Sequence, residues 1–417
     1  MNNRNQGELG LASILDNDLY KFSMQQVVFK NYRDAVVNYK FTNRTRSMKL
    51  NQQAVEWLKN NVKGMENMAL SEEEYQYLSS LGFIEKDYLD YLKTFRFRPD
   101  EQVHFHLDSE TGDFELNVTG SWLETILYEV PLLALISESY FLYVDTDWNH
   151  DGQYEKAYQK AEALLKEGCK FSEFGTRRRR DLHTHNTIMK ALLDAEKDYI
   201  KLCEANGQRP LGALTGTSNV HLAKKYNITP IGTVAHEFFM GVSALEGIEQ
   251  ANKKALQRWL DVYKGALGIA LTDTFRTEVF FRDFDRGLAL AFSGVRQDSG
   301  DPLKFVDAMV EHYRKLDIDP KTKVIVFSDA LDVPKAIQLQ NYCTKAGVNS
   351  SFGIGTHFTN DFRRLSATDQ KSEPMNMVIK MNVCNDTPVI KLSDDVLKNS
   401  GDTAFVKQIK NQLGLKD

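Results

Sequence analysis

His236 ends the stretch Ile231-Gly-Thr-Val-Ala-His236, a short β-branched run that reaches its polar end beside glycine. A histidine at such a place can act as nucleophile, proton carrier or ligand, or it can be a satisfied core residue. The choice depends on what converges on it. Asp273, in Leu271-Thr-Asp-Thr274, ends the next predicted strand, and a carboxylate there can fix the tautomer of a neighbouring imidazole. Glu173-Phe-Gly-Thr-Arg-Arg-Arg-Arg180 gathers an aromatic, a glycine and four guanidinium groups in one turn. That set suits forked contacts to phosphate from the arginine cluster and a flat apolar face at Phe174; a solvated charge run opening a helix fits equally. Leu214-Thr-Gly-Thr-Ser-Asn219 offers backbone N–H groups and hydroxyls, Thr217 among them, to an anion, although such a string is also ordinary turn chemistry. In Ser293-Gly-Val-Arg-Gln-Asp-Ser-Gly-Asp-Pro302, the pair Asp301-Pro302 reads as a helix cap and first turn, whereas Arg296 and Asp298 have no capping role. Asp329 either caps the following helix or contacts a sugar hydroxyl. Phe352-Gly-Ile-Gly-Thr356 gives a turn with Gly353 and Gly355, where barrels commonly hold phosphate.

The elements that must position these residues follow from hydrophobic period. From residue 138 onward, strand candidates end at 171–174, 211–215, 231–235, 269–272, 288–292, 324–327 and 351–354, with helical periodicity between them, as in Leu303, Phe305, Val306, Met309, Val310 and Tyr313. Repeated βα units imply a parallel sheet. Seven of them, most delivering a reactive residue just past the strand, predict a TIM-like α/β barrel over 138–374 with its site at the C-terminal strand ends; an open doubly wound sheet is the alternative. Residues 1–137 instead form an α+β domain: Ala35 to Phe41 alternates as a half-buried strand, and 102–107 and 114–118 flank a hairpin turn. His104 and His106 share one face of that hairpin but lack a carboxylate or cysteine partner, so they read as a solvated face rather than a metal site. Beyond residue 375 a second hairpin, 377–383 with 388–392, predicts that segment 375–417 rejoins the N-terminal domain.

Composition narrows the function. The 417 residues are 42% hydrophobic, enough for a large core, and 52 basic against 57 acidic side chains give a net charge of −5. No basic block asks for nucleic acid. Cys169, Cys203, Cys343 and Cys384 are widely spaced, which disfavours a zinc ribbon or a disulfide framework and suits a reducing cytoplasm. The longest apolar run, 125–136, is interrupted by Glu129 and Pro131 and is too short for a bilayer, so a soluble, cytoplasmic protein is expected.

Taken together, Asp16-Asn-Asp-Leu-Tyr20, Glu173-Phe-Gly-Thr-Arg177, Gly232-Thr-Val-Ala-His236, Gly294-Val-Arg-Gln-Asp-Ser-Gly300 and Phe352-Gly-Ile-Gly-Thr356 resemble the nicotinate phosphoribosyltransferase family, in order and spacing, from residue 16 to about 395. The resemblance implies an irregular TIM-like barrel with an additional α+β N-terminal domain. It implies that His236 is phosphorylated by ATP and that Asp273 supports it. Tyr20 matches an aromatic that crosses from a partner subunit to stack on the pyridine ring opposite Phe174, implying a homodimer with shared sites. Thr233 and Arg296 match contacts to nicotinate, Arg296 complementing its carboxylate. Arg177, Gly353, Gly355 and Thr356 match the cradle for 5-phosphoribosyl 1-pyrophosphate, with Thr217 grouped there, and Asp298 and Asp329 match ribose or Mg²⁺-shell positions. Mg²⁺ and ATP are the implied cofactor and co-substrate. Three rivals are a nicotinamide-specific relative, a barrel aldolase or isomerase, and a non-catalytic homologue. The second needs a lysine or a carboxylate pair at the strand ends, and no lysine follows a predicted barrel strand.

Overall fold

The computed structural model describes residues 10–395, 399, 401 and 403–415. Its N-terminal sheet is antiparallel and has five strands. β1 (Val36–Asn43) lies at its centre, β2 (Val103–Leu107) and β3 (Phe114–Ser121) on one side. The predicted hairpin is β2 paired with β3, and His104 and His106 fall on its exposed positions. The barrel sheet follows with six parallel strands, β4 (Lys170–Glu173), β5 (Ala213–Thr217), β6 (Ile269–Leu271), β7 (Gly294–Gln297), β8 (Val324–Phe327) and β9 (Asn349–Ile354), in the order β5-β4-β9-β8-β7-β6. After the short pair β10 (Phe362–Arg363) and β11 (Lys371–Ser372), the chain returns: β12 (Met377–Cys384) pairs with β1 along seven positions and β13 (Thr387–Pro388) closes the outer edge. One hydrophobic cluster runs through both regions.

Two predicted strands are not strands. Residues 231–235 bridge the gap between β5 and β6 without joining a ladder: Ile231 N donates to Thr217 O at 2.8 Å and Thr233 Oγ1 to Ile269 O at 3.3 Å. The reason is steric and chemical. Pro230 has no N–H to give, and a Cβ on Gly232 would lie 2.9 Å from the backbone nitrogen of Tyr20, so the start of helix Leu19–Asn31 presses against this segment. The barrel is therefore irregular at one wall. The second correction is 288–292, which forms the end and C-cap of helix Arg286–Ala291. Asp285 caps that helix by accepting from Leu288 N at 3.0 Å, and the strand starts only at Gly294. A Cβ at Gly294 would meet Val324 O at 2.1 Å, so only glycine lets β7 dock on β8 there. The apolar run had the composition of a buried strand; its cap decides otherwise.

The helical stretch Trp122–Tyr143 is long and apolar enough to cross a membrane, but 89% of its most apolar 18 residues is buried within the protein, as a core helix requires.

Candidate active site

A cavity of about 910 Å³ opens at the C-terminal ends of the barrel strands. Of the residues singled out from sequence, Tyr20, Phe174, Arg177, Thr233, His236, Arg296, Asp298, Asp329, Gly353, Gly355 and Thr356 line it. Asp273 lies just beneath, 1% exposed.

Strand register explains much of this convergence. Leu271 pairs with Arg296 and Arg296 with Val326, so Asp273, Asp298 and Ser328, each two residues further on, emerge at one level. Arg296 is steadied by Ser328 Oγ at 3.0 Å, by Val234 O at 3.3 Å and by Asp298 Oδ1 at 3.4 Å. Ser328 Oγ also donates to Asp298 Oδ1 at 2.5 Å. Burial opposes ionisation of Asp298, but Arg296, then His236 and Lys391, hold its carboxyl well below the usual carboxylate range.

His236 is the first residue of helix His236–Glu246. Its Nδ1 lies 3.1 Å from Thr274 Oγ1; its Nε2 lies 3.1 Å from Asp298 Oδ2 and 2.8 Å from Lys391 Nζ. Asp273 Oδ1 stands further off, at 3.6 Å. The nearest carboxylate to His236 is thus Asp298, expected at a ribose or Mg²⁺-shell position, while Asp273 accepts from Ser299 Oγ at 2.5 Å and lies 3.5 Å from Lys391. Burial and the Lys391 ammonium lower the His236 pKa from its ordinary value, against the pull of Asp273 and Asp298. The ring is therefore neutral at neutral pH.

Glu237, the neighbour of His236, turns inward. Its carboxylate accepts from Lys21, from Tyr39 Oη at 2.5 Å and from Trp122 Nε1 at 2.8 Å, and Lys21 also meets Glu129 at 2.6 Å. This buried set fixes the start of the His236 helix against the N-terminal domain. Lys21 keeps its charge despite complete burial because Glu129 and Glu237 raise its pKa.

Thr217 lies outside the cavity. It is fully buried and its hydroxyl donates to Glu173 Oε2 at 2.6 Å. Glu173 also contacts His185 at 2.9 Å and accepts from Gly175 N, so it shapes the turn that presents Phe174 and Arg177. The four arginines divide their work. Arg177 lines the cavity and pairs with Glu129 at 3.4 Å. Arg178 donates to Met377 O at 2.9 Å, Arg179 forks onto Asp16 at 2.7 and 2.8 Å, and Arg180 binds Ser372 with its guanidinium 3.5 Å from the Phe141 ring centroid. The turn is thereby anchored to the N-terminal loop and to the C-terminal return. Tyr20, expected to reach a partner's site, lines the cavity of its own chain, and its hydroxyl has no hydrogen-bond partner among the described residues. Asp329 lines the cavity, and the cap of the next helix is Asp332, which accepts from Lys335 N at 2.8 Å. Asp301 caps its helix as expected, accepting from Leu303 N at 2.9 Å.

Sequence reasoning missed Lys391, Thr274, Ser328 and Lys21. Lys391 carried a faint signal, a lysine set between Ile390 and Leu392 in an apolar arm. What brings it to His236 is tertiary: Leu392 N donates to Thr274 O at 2.8 Å.

Cations, a buried carboxylate and a neutral imidazole ringed around a cavity at barrel strand ends define an α/β-barrel enzyme built to hold anionic substrates. Comparison with known proteins then narrows the class. Residues 169–417 match the nicotinate phosphoribosyltransferase family and residues 15–137 its N-terminal domain. A nicotinate phosphoribosyltransferase of Methanosarcina acetivorans is 45% identical over 423 residues, covering 97% of this chain and 99% of its own. One of Saccharomyces cerevisiae is 43% identical, covering 97% of this chain and 95% of its own. The crystal structure of nicotinate phosphoribosyltransferase from Porphyromonas gingivalis superposes with a TM-score of 0.88 at 33% identity, covering 97% of this chain and all of its own. The chain belongs to the nicotinate phosphoribosyltransferase family.

Proposed function

We propose that this enzyme joins nicotinate to 5-phosphoribosyl 1-pyrophosphate, releasing nicotinate mononucleotide and pyrophosphate for NAD biosynthesis, and that ATP drives the step through a phosphohistidine at His236. In the transfer, the pyridine nitrogen lone pair forms the bond to the ribose C1 as the bond to pyrophosphate breaks, so no proton need leave the nucleophile. The site has then to hold both reactants in line and to stabilise the departing charge. Arg296 is the group that would receive the nicotinate carboxylate, because it is oriented by three separate acceptors at one level of the barrel. Thr233, Phe174 and Tyr20 complete the pyridine pocket. Arg177 and the Gly353-to-Thr356 turn would hold the phosphates, the turn because a Cβ on Gly355 would lie 2.8 Å from Phe174 O, so the backbone there stays bare.

The observation that carries the phosphoacceptor reading is His236 itself, a neutral imidazole at the first position of a helix inside this cavity. A phosphoryl group on it would sit at a helix N-terminus, where backbone N–H groups and the helix dipole favour an anion. Mg²⁺ takes oxygen ligands and is usually bound through one or two carboxylates plus substrate phosphates. Asp329, a carboxylate on the cavity wall, fits that role; Asp298, committed to Arg296 and Ser328, does not. When bound, the ion supplies charge neutralisation at the pyrophosphate. A homodimer belongs to the same proposal.

The test compares wild type with His236→Asn using γ-labelled ATP. Wild type should gain an acid-labile, base-stable label and be stimulated by ATP, and the variant should lose both. Retention of label and stimulation by His236→Asn would overturn the reading. Assaying nicotinamide beside nicotinate separates it from the amide-specific rival.

A further inference from the structure

The Nε2 atom of His236 meets two groups that ask opposite things of it. Lys391 Nζ at 2.8 Å can only donate, and Asp298 Oδ2 at 3.1 Å, on an ionised carboxylate, can only accept. A neutral ring satisfies one of them. Thr274 on Nδ1 does not decide the matter, because a hydroxyl donates or accepts equally.

Three observations favour the lysine. Its contact is the shorter, and a protonated Nε2 would press an N–H against an ammonium. Asp298 has other partners in Ser328 and Arg296. Lys391, 4% exposed as a whole residue, also stands 3.5 Å from Asp273, whose Oδ1 is buried without a hydrogen-bond partner among the described residues, so the ammonium is the compensating charge for that carboxylate. Lys391 and Thr274 are also fastened together, since Leu392 N donates to Thr274 O and Arg276 N to Leu392 O at 2.7 Å. The two partners of the ring therefore arrive as one unit.

We infer that Lys391 is a positioning residue that keeps the His236 proton on Nδ1 and its lone pair on Nε2. It acts through His236 and comes from the C-terminal return, not from a barrel strand.

The experiment is ¹⁵N NMR of the histidine rings in the full chain at a pH where His236 is neutral. The chain has nine histidines, so His236 is assigned by its loss in His236→Asn. In wild type, Nδ1 should show the protonated, pyrrole-like shift and Nε2 the pyridine-like one. Lys391→Met should exchange the two, with Nε2–H now donating to Asp298, and Lys391→Arg, which keeps a donor cation, should retain the wild-type pattern. A wild-type ring with its proton on Nε2, or a Lys391→Met ring unchanged from wild type, would overturn the assignment. The readout needs no turnover, so it stands or falls apart from the phosphoacceptor reading.

Discussion

Glu237→Gln is expected to cost far more than its conservative shape suggests. The side chain is 9% exposed and serves Lys21, Tyr39 and Trp122 at once. The amide keeps one oxygen for Tyr39 and Trp122, which both address Oε1, but turns an NH₂ toward a fully buried ammonium. Losing a hydrogen bond to a charged group costs about 1.5–3 kcal/mol, and breaking a buried ion pair outright costs about 3–5 kcal/mol. Lys21 keeps Glu129 at 2.6 Å, so the loss should fall where the two ranges meet, near 3 kcal/mol. Urea unfolding followed by tryptophan fluorescence and circular dichroism reads it. Glu85→Gln is the control, because Glu85 pairs with Lys30 at 2.6 Å with both side chains partly exposed and should lose no more than about 1 kcal/mol. Because Glu237 follows His236 in the first turn of its helix, turnover should fall with stability. A Glu237→Gln variant within about 0.5 kcal/mol of wild type, the range of a plain surface substitution, would refute the claim that this buried network anchors the His236 helix.

Two further outcomes follow from the site. Arg296→Gln should raise KM for nicotinate by roughly 10–100-fold, the equivalent of one charge-assisted hydrogen bond, while KM for 5-phosphoribosyl 1-pyrophosphate stays near wild type; equal effects on both would move Arg296 away from the carboxylate. His236 has a folded pKa below its ordinary 6.5. Its contribution is complete above about 6.5 and is lost as pH falls, because the unfolded chain takes up a proton that the folded ring resists. Wild type should therefore lose more stability than His236→Asn between about pH 7.5 and pH 5, as read by denaturation at each pH, and equal losses would contradict the shift.

Much of this site was legible because chemistry-bearing residues in a parallel βα array collect at one end of the sheet. Asp273 and Asp329 needed only correct strands before them, whereas Arg296 and Asp298 stood out by lacking a capping role. The hairpins were legible from alternation, and the Asp301 cap from its proline. What failed had tertiary causes in all but one case, a helix cap. Residues 231–235 have strand composition, but the helix carrying Tyr20 crowds Gly232. Residues 288–292 have a buried apolar run, but Asp285 starts a helix. Thr217 looked like an anion ligand in a hydroxyl-rich turn, yet its hydroxyl faces Glu173 in the core. The pairings of Lys391 and Lys21 were not legible because their partners lie 155 and 216 residues away, and no local pattern encodes such a pairing.

The most direct test is product formation from nicotinate and 5-phosphoribosyl 1-pyrophosphate by purified enzyme, with and without ATP, with nicotinamide run in parallel. Nicotinate mononucleotide and pyrophosphate should appear in equal amounts, faster and further toward completion with ATP, and nicotinamide should be a poor substrate. No nicotinate mononucleotide under any of these conditions would contradict the account.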